Sequence, residues 1–320
     1  MHWMDLLRGL AVVLVVAFHA GTMPGVPEPV NAVNDALGSY RLAALFLASG
    51  LLLDRSLAKG PTRYVTGKLR HIVWPYLVWT TLMLPLLGAE RGLDPAWWVY
   101  PRGSHTWFLS TLAVIYAVGF LTRVLAPGWI MLGLLVASQL IDRGAFALAP
   151  FFHEVSWWGV FFFLGVMLSR HVDAVVGAPV WAFGIGACVT VGWSIINALP
   201  DPPAAKTVLA AVMSTIGVGT IVWLLARMPR VWPVTLLQRL GRRSIVTYLV
   251  HLPVLKIAVF HLAWPGGWAG YLSLVLVTLL VCTAATRHYG RLRWLFEWPE
   301  GRRRPPITTS HEARSAAGRR

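Results

Sequence analysis

Ten apolar stretches, each 15 to 22 residues long, dominate the sequence. They fall at 5–23, 41–57, 72–90, 106–125, 128–142, 155–169, 178–199, 206–226, 244–264 and 267–287. A helix needs about 20 predominantly apolar residues to cross a hydrocarbon layer of about 30 Å. In lipid the backbone must satisfy its own hydrogen bonds, so apolar segments of this length become helices. The stretches at 128–142 and 155–169 are short, which makes eight spans the fallback to ten. Composition agrees: 57% of the 320 residues are apolar and 13% charged, with a mean hydropathy of +0.62. Forty-one charged residues are too few to coat a soluble domain of this length, which excludes an ordinary cytosolic enzyme, a disordered chain and a disulfide scaffold. The expected fold is all-α, a polytopic transmembrane bundle of about ten spans with both termini cytoplasmic. The first span reads as a retained helix, since the Met1–Asp5 segment is too short and too weakly basic for a secretion signal.

The net charge of +15 is distributed as a topology signal and not as a nucleic-acid surface. With ten spans and both ends inside, 22 of the 28 Lys and Arg residues fall in cytoplasmic segments and five outside, with Lys256 within the ninth span. That asymmetry is the positive-inside bias, and removing any one span destroys it. Residues 1–290 are thus read as one transmembrane domain. Residues 291–320 form a basic tail expected to be disordered or to lie against anionic lipid. Many of the 17 tryptophans, such as Trp97, Trp98, Trp264 and Trp268, sit near span ends as interfacial anchors. Cys188 and Cys282 lie inside apolar stretches and build neither a disulfide framework nor a metal site, and the histidines form no close metal-binding pair. No phosphate loop, nucleotide fingerprint or nucleophile elbow is present.

The first span, MDLLRGLAVVLVVAFHA, carries the most chemistry. Arg8 and His19 are eleven positions apart, about three helical turns, so they share a face at a separation of about 16 Å along the axis. Ionisable groups inside a span usually face the bundle interior or a wet cavity, so Arg8 and His19 are expected to point together into one shared internal chamber. Two plainer readings stay open: Arg8 can snorkel to the interface and pair with Asp5, and His19 can cap the far end of the helix.

The segment RGLAVVLVVAFHA resembles the Arg-x10-His signature of the acyltransferase-3 family of multipass membrane acyltransferases. Five further segments resemble the family in order. They are RLAALFLASGLLL with Phe46, Ser49 and Gly50; KLRHIVWPYLVW; HTWFLSTL with His105, Trp107, Phe108 and Leu109; FFFLGVMLSR; and LGRRSIVTYLVHLPV with Gly241, Ser244, Tyr248, Leu249 and His251. Together they span about residues 5 to 287. The resemblance implies transfer of an acyl group, acetyl above all, from a cytoplasmic acyl-CoA to a sugar hydroxyl of a cell-surface glycan, glycolipid or glycosylated metabolite. It makes His19 the catalytic histidine and Arg8 its partner. One departure stands out. The family often shows Arg-x-x-Arg in its basic segment, where this chain has Lys68-x-x-His71 with Arg70 between, so a second guanidinium is missing.

The residues suit that chemistry. An imidazole in apolar surroundings stays neutral and removes the acceptor proton as a general base. Lys68, Arg70 and His71 form a cationic site for CoA phosphates, with Arg8 close by. Ser49, Tyr248 and His251 are candidates to stabilise the oxyanion or contact substrate, and Arg41, His105 and Trp107 to contact the acceptor. Acyl-CoA is a co-substrate, and no tightly bound cofactor or metal is expected. Plainer readings accompany several: Arg41 as a snorkelling anchor, Lys68, Arg70 and His71 as topology determinants, His105 and Trp107 as interfacial, and Ser49 with Gly50 as a close-packing pair. The expected location is the inner membrane. The rival function is a glycan or lipid transporter or flippase that uses the same polar cavity without covalent chemistry.

Overall fold

The computed structural model describes residues 2–299. Helices α1 (His2–Gly21), α2 (Pro29–Ala36), α3 (Gly38–Gly50) and α4 (Leu53–Leu57) open the chain. Next come α5 (Pro61–Lys68), a π-helical turn over Leu69–Val73, α6 (Trp74–Leu87), α7 (Pro95–Val99), α8 (Trp107–Leu121) and α9 (Pro127–Leu140). After them lie α10 (Ala149–Leu168), α11 (Val172–Val176), α12 (Val180–Asn197), α13 (Val208–Arg227), α14 (Trp232–Arg242), α15 (Ser244–His261), α16 (Gly267–Arg287) and α17 (Tyr289–Leu292). No strand occurs among the described residues. Proline at the first turn starts α2, α5, α7 and α9, where its fixed φ suits a helix and its missing N–H costs nothing.

All ten expected stretches are helical, but their lengths differ. Six helices (α1, α10, α12, α13, α15, α16) are long and apolar enough to cross a membrane, or seven if α2 and the following helix, bent by 40°, count as one span. Trp107–Leu121 and Pro127–Leu140 are apolar but shorter. The stretch expected at 41–57 breaks after Gly50, and that at 72–90 is joined to α5 through the π-turn. The chain is a multi-pass, all-helical membrane protein.

Helix α1 is the centre, packing on α3, α13, α14, α15 and α16. Helix α10 is largely buried, sandwiched between α3 and α9. At the other extreme, α12 is 6% buried, touches chiefly α13 and α2, and leaves its apolar surface for lipid. The α3/α10 crossing is a backbone-on-backbone contact. A Cβ placed on Gly50 would lie 1.8 Å from the Phe162 carbonyl oxygen, and one on Gly165 would lie 2.2 Å from that of Leu47. Membrane helices approach this closely only through such small residues.

Proline also shapes the junction between α5 and α6. Pro75 has no N–H, and Trp74 N–H reaches back five residues to Leu69 O, which makes the turn over 69–73 a π-turn. The Arg70 carbonyl left over takes the Trp298 N–H at 3.1 Å. That bond docks the end of the chain. Phe296 is buried at 2% exposure, Trp74 and Trp79 donate to the carbonyls of Trp294 and Leu295, and the Trp298 ring lies 4.8 Å from that of Trp74. Of the expected tail, the described part, 291–299, is thus packed by its aromatic residues; the remainder lies outside the described residues.

Candidate active site

The two ends of α1 open into two cavities. The first is lined by Arg8 and Val12 of α1, Leu45 and Ser49 of α3, Ile72 of the π-turn, Phe108 of α8, and Ser244 and Tyr248 of α15, and encloses about 590 Å³ including its mouth. The second, about 670 Å³ including its mouth, is lined by His19, Thr22, His105, Trp107, Leu252 and Lys256 among others. The sequence leads one to expect Arg8 and His19 in one shared chamber. The structure instead separates them by a thin layer. Tyr248 faces the first cavity and His105 the second, with ring centroids 5.5 Å apart.

His251 completes that layer. Its ring centroid is 5.1 Å from His19, 5.2 Å from His105 and 5.7 Å from Tyr248. It is wholly buried and lines neither cavity, so it sits behind His19 and His105 and not against a substrate. Pro253 explains part of the geometry. It cannot donate to the carbonyl four residues earlier, Leu249, and His105 Nε2 bonds to that oxygen at 3.1 Å. The Tyr248 hydroxyl donates to the His105 carbonyl, and His251 Nδ1 bonds to the Tyr248 carbonyl at 2.6 Å. A hydroxyl chain fixes the loop that carries His105: Thr80 donates to Thr106 at 3.0 Å, and Thr106 lies 2.9 Å from Ser104.

At the other end Arg8 turns inward. Its Nη2 donates to the Ala48 carbonyl at 3.0 Å, while Asp5 pairs with Arg242 at 3.5 Å. The snorkelling pair with Asp5 is therefore not what α1 forms. Ser49 spends its hydroxyl proton on Leu45 O at 2.8 Å, the back-bond of a serine inside a helix, and still lines the Arg8 cavity. Lys68 reaches the same neighbourhood. Its Nζ lies 3.5 Å from the Tyr116 ring centroid, and the Tyr116 hydroxyl donates to Ser49 O at 3.2 Å.

The π-turn parts Lys68 from its neighbours. Arg70 and His71 face Glu297, at 3.1 and 3.6 Å, a carboxylate that also takes hydrogen bonds from Arg293 and Tyr289. Burial raises the Glu297 carboxyl, but the bonds from Arg293 and Tyr289 and the nearby positive charges outweigh it and hold it below the ordinary carboxylate range. Burial, reinforced by Glu297, pushes the Tyr289 phenol up to about 12.

On the His19 side Arg41 is buried. It donates to Asn34 O at 2.8 Å and stacks over Phe18 at 4.2 Å, so it braces the neighbour of His19 and is no surface anchor. Trp107 is half-buried on the cavity wall. Of the sequence candidates, Arg8, Ser49 and Tyr248 meet in one cavity and His19, His105 and Trp107 in the other. Lys68 stands beside the first; Arg70 and His71 turn to the docked chain end. Sequence reasoning missed Tyr116, the Thr80–Thr106–Ser104 chain and Glu297. Only Glu297, an acid within a segment of six arginines running from 287 to 304, had a readable signal.

The helical bundle thus holds two cavities at the ends of α1, one lined by Arg8 and the other by His19, His105 and Lys256. The model of the acyltransferase-3 family, described as an acyltransferase domain, matches residues 1–287, and the chain belongs to that family. It is thus a membrane acyltransferase. No curated protein and no solved structure matches it.

Proposed function

We propose that this protein is an O-acyltransferase of the inner membrane. It takes an acyl group, acetyl first among candidates, from cytoplasmic acyl-CoA. It delivers the group to a hydroxyl of a sugar in a cell-surface glycan, glycolipid or glycosylated metabolite. The observation that carries the proposal is the pair of cavities at opposite ends of α1, with the packed rings of Tyr248, His105 and His251 between them. Ten spans with both termini inside would put the Arg8 end in the cytoplasm, as the 22-to-5 distribution of basic residues requires.

In this reading CoA approaches the Arg8 cavity past Lys68, with Arg70 and His71 held at the rim by Glu297, and its slender thioester arm reaches toward Tyr248. The acceptor enters beside His105, Trp107 and Lys256. His19 removes the hydroxyl proton as the oxygen attacks the thioester carbonyl; the C–O bond forms, the C–S bond breaks, and CoA leaves as the thiolate on the Arg8 side. Arg8, bound to Ala48 O, ties α1 to α3 where the donor lies. Ser49 and Tyr248 direct their protons to backbone carbonyls, so either stabilises an oxyanion only by exchanging that bond, and His251, which lines neither cavity, stands behind the reacting groups. The buried layer between the cavities also favours group transfer over a flippase, which must pass a whole sugar.

The test uses purified protein, labelled acetyl-CoA and a panel of glycans, with His19→Asn and Arg8→Lys beside wild type. Transfer that falls about 10²–10⁴-fold in His19→Asn at equal abundance is the expected result for a lost general base. Glycan movement across vesicles without thioester loss would overturn the proposal in favour of transport.

A further inference from the structure

We propose that His251 is the positioning residue for His19: it accepts the N–H of the His19 ring and thereby fixes which His19 nitrogen presents a lone pair to the acceptor cavity. The catalytic consequence rests on the acyltransferase reading above; the tautomer itself does not.

A carbonyl oxygen can only accept a hydrogen bond. His251 Nδ1 lies 2.6 Å from the Tyr248 carbonyl, so the proton of the neutral ring is on Nδ1 and Nε2 holds the lone pair. His105 Nε2 lies 3.1 Å from the Leu249 carbonyl, so its lone pair is on Nδ1. Both remaining atoms, His251 Nε2 and His105 Nδ1, are buried without a hydrogen-bond partner. Buried acceptors in folded proteins are almost always met by a donor. The cluster holds two imidazoles locked as acceptors and a third, His19, whose tautomer no backbone carbonyl dictates.

His19 is placed to supply the donor to His251. Their ring centroids are 5.1 Å apart at an interplanar angle of 36°, near enough for a turn of the His19 ring to aim an N–H at His251 Nε2, which has no hydrogen-bond partner as the rings stand. Its other nitrogen then carries the lone pair, on the side where Thr22, His105 and Lys256 line the cavity. The relay runs from the Tyr248 carbonyl through His251 to His19. It does for the base what a carboxylate does in a serine-protease triad, orienting the ring and selecting its tautomer, but with a neutral backbone group at its end.

The test is nitrogen NMR of the full-length protein in detergent with ¹⁵N-labelled histidine, the His19 signals being identified by their loss in His19→Asn. Wild type is expected to show one protonated and one unprotonated His19 nitrogen, a single tautomer. His251→Phe, which keeps the ring volume and loses the acceptor, is expected to give averaged signals from both tautomers. Its kcat is expected to fall by more than about tenfold with little change in KM. His251→Gln, whose amide oxygen can accept, is expected to restore the single tautomer and part of the rate. Averaged His19 signals in wild type, or an unchanged single tautomer in a folded His251→Phe protein, would overturn the proposal. If His251→Phe does not fold, the wild-type spectrum and the glutamine variant still decide it. A single wild-type tautomer lost in His251→Phe, in a protein that transfers no acyl group, would uphold the positioning geometry and sink the acyltransferase reading alone.

Discussion

Replacing Gly50 by alanine should damage the site although Gly50 touches no substrate cavity. The added Cβ would lie 1.8 Å from the Phe162 carbonyl oxygen, where real Cβ atoms keep at least 3.0 Å, so α3 and α10 must part by about 1.2 Å. The obstacle is backbone, which cannot swing aside as a side chain does. Overpacking of this kind costs typically about 1–3 kcal/mol. The functional loss should be larger in proportion. The Ala48 carbonyl that holds Arg8 at 3.0 Å is two residues away, and Ser49, between them, lines the Arg8 cavity. A displacement of about 1 Å at a positioned group can lower a rate on the order of 100-fold. The assay is thermal unfolding of the purified protein alongside acetyl-CoA turnover. Gly192→Ala is the control, because its Cβ meets nothing within 4 Å. Gly50→Ala that melts and turns over like Gly192→Ala would refute the claim that this crossing sets the Arg8 cavity.

Other variants probe separate parts of the structure. Glu154 pairs with Lys206 and also accepts from Trp158 Nε1 at 2.7 Å, in a largely buried setting, so Glu154→Gln should destabilise the protein by about 1.5–3 kcal/mol. The double variant Glu154→Gln with Lys206→Met should recover much of that, and a melting temperature equal to the single variant's would count against the pairing. The carboxyl of Glu297 sits below its ordinary range, so its contribution to docking of the chain end is complete above an unfolded pKa of about 4.3 and is lost as pH falls through the lower folded value. Wild type should therefore lose more stability than Glu297→Gln on acidification below about pH 4.3, and parallel curves would contradict this. Pro253→Ala should restore the helical partner of Leu249 O and weaken the hold on His105, lowering turnover without loss of folding; unchanged turnover would argue against that hold.

Much of this arrangement was legible in the chain. The ten apolar stretches all became helices, and the eleven-residue spacing of Arg8 and His19 did put one at each cavity, because helical geometry is local. Helix lengths in the first half were not legible. The break after Gly50 and the π-turn before Pro75 arise from packing and from a missing N–H, and neither changes average hydropathy. The shared chamber expected for Arg8 and His19 became two, since the layer dividing them comes from α15 and the loop before α8, more than eighty residues away in sequence. The pairing of Arg70 and His71 with Glu297 was not legible, because a sequence shows their charge and not the carboxylate that the end of the chain brings to them. Gly50 was readable as a packing glycine from its small neighbour, and its contact with α10 agrees.

The central claim is that donor and acceptor occupy opposite ends of α1 and that the acyl group crosses at His19. Oriented proteoliposomes test it most directly, with acetyl-CoA carrying a labelled acetyl group supplied on the Arg8 face and the glycan acceptor on the other. The account predicts free CoA on the Arg8 face, labelled glycan on the His19 face, and loss of both in His19→Asn. Labelled glycan formed only when both substrates share one face, or undiminished transfer by His19→Asn, would contradict it.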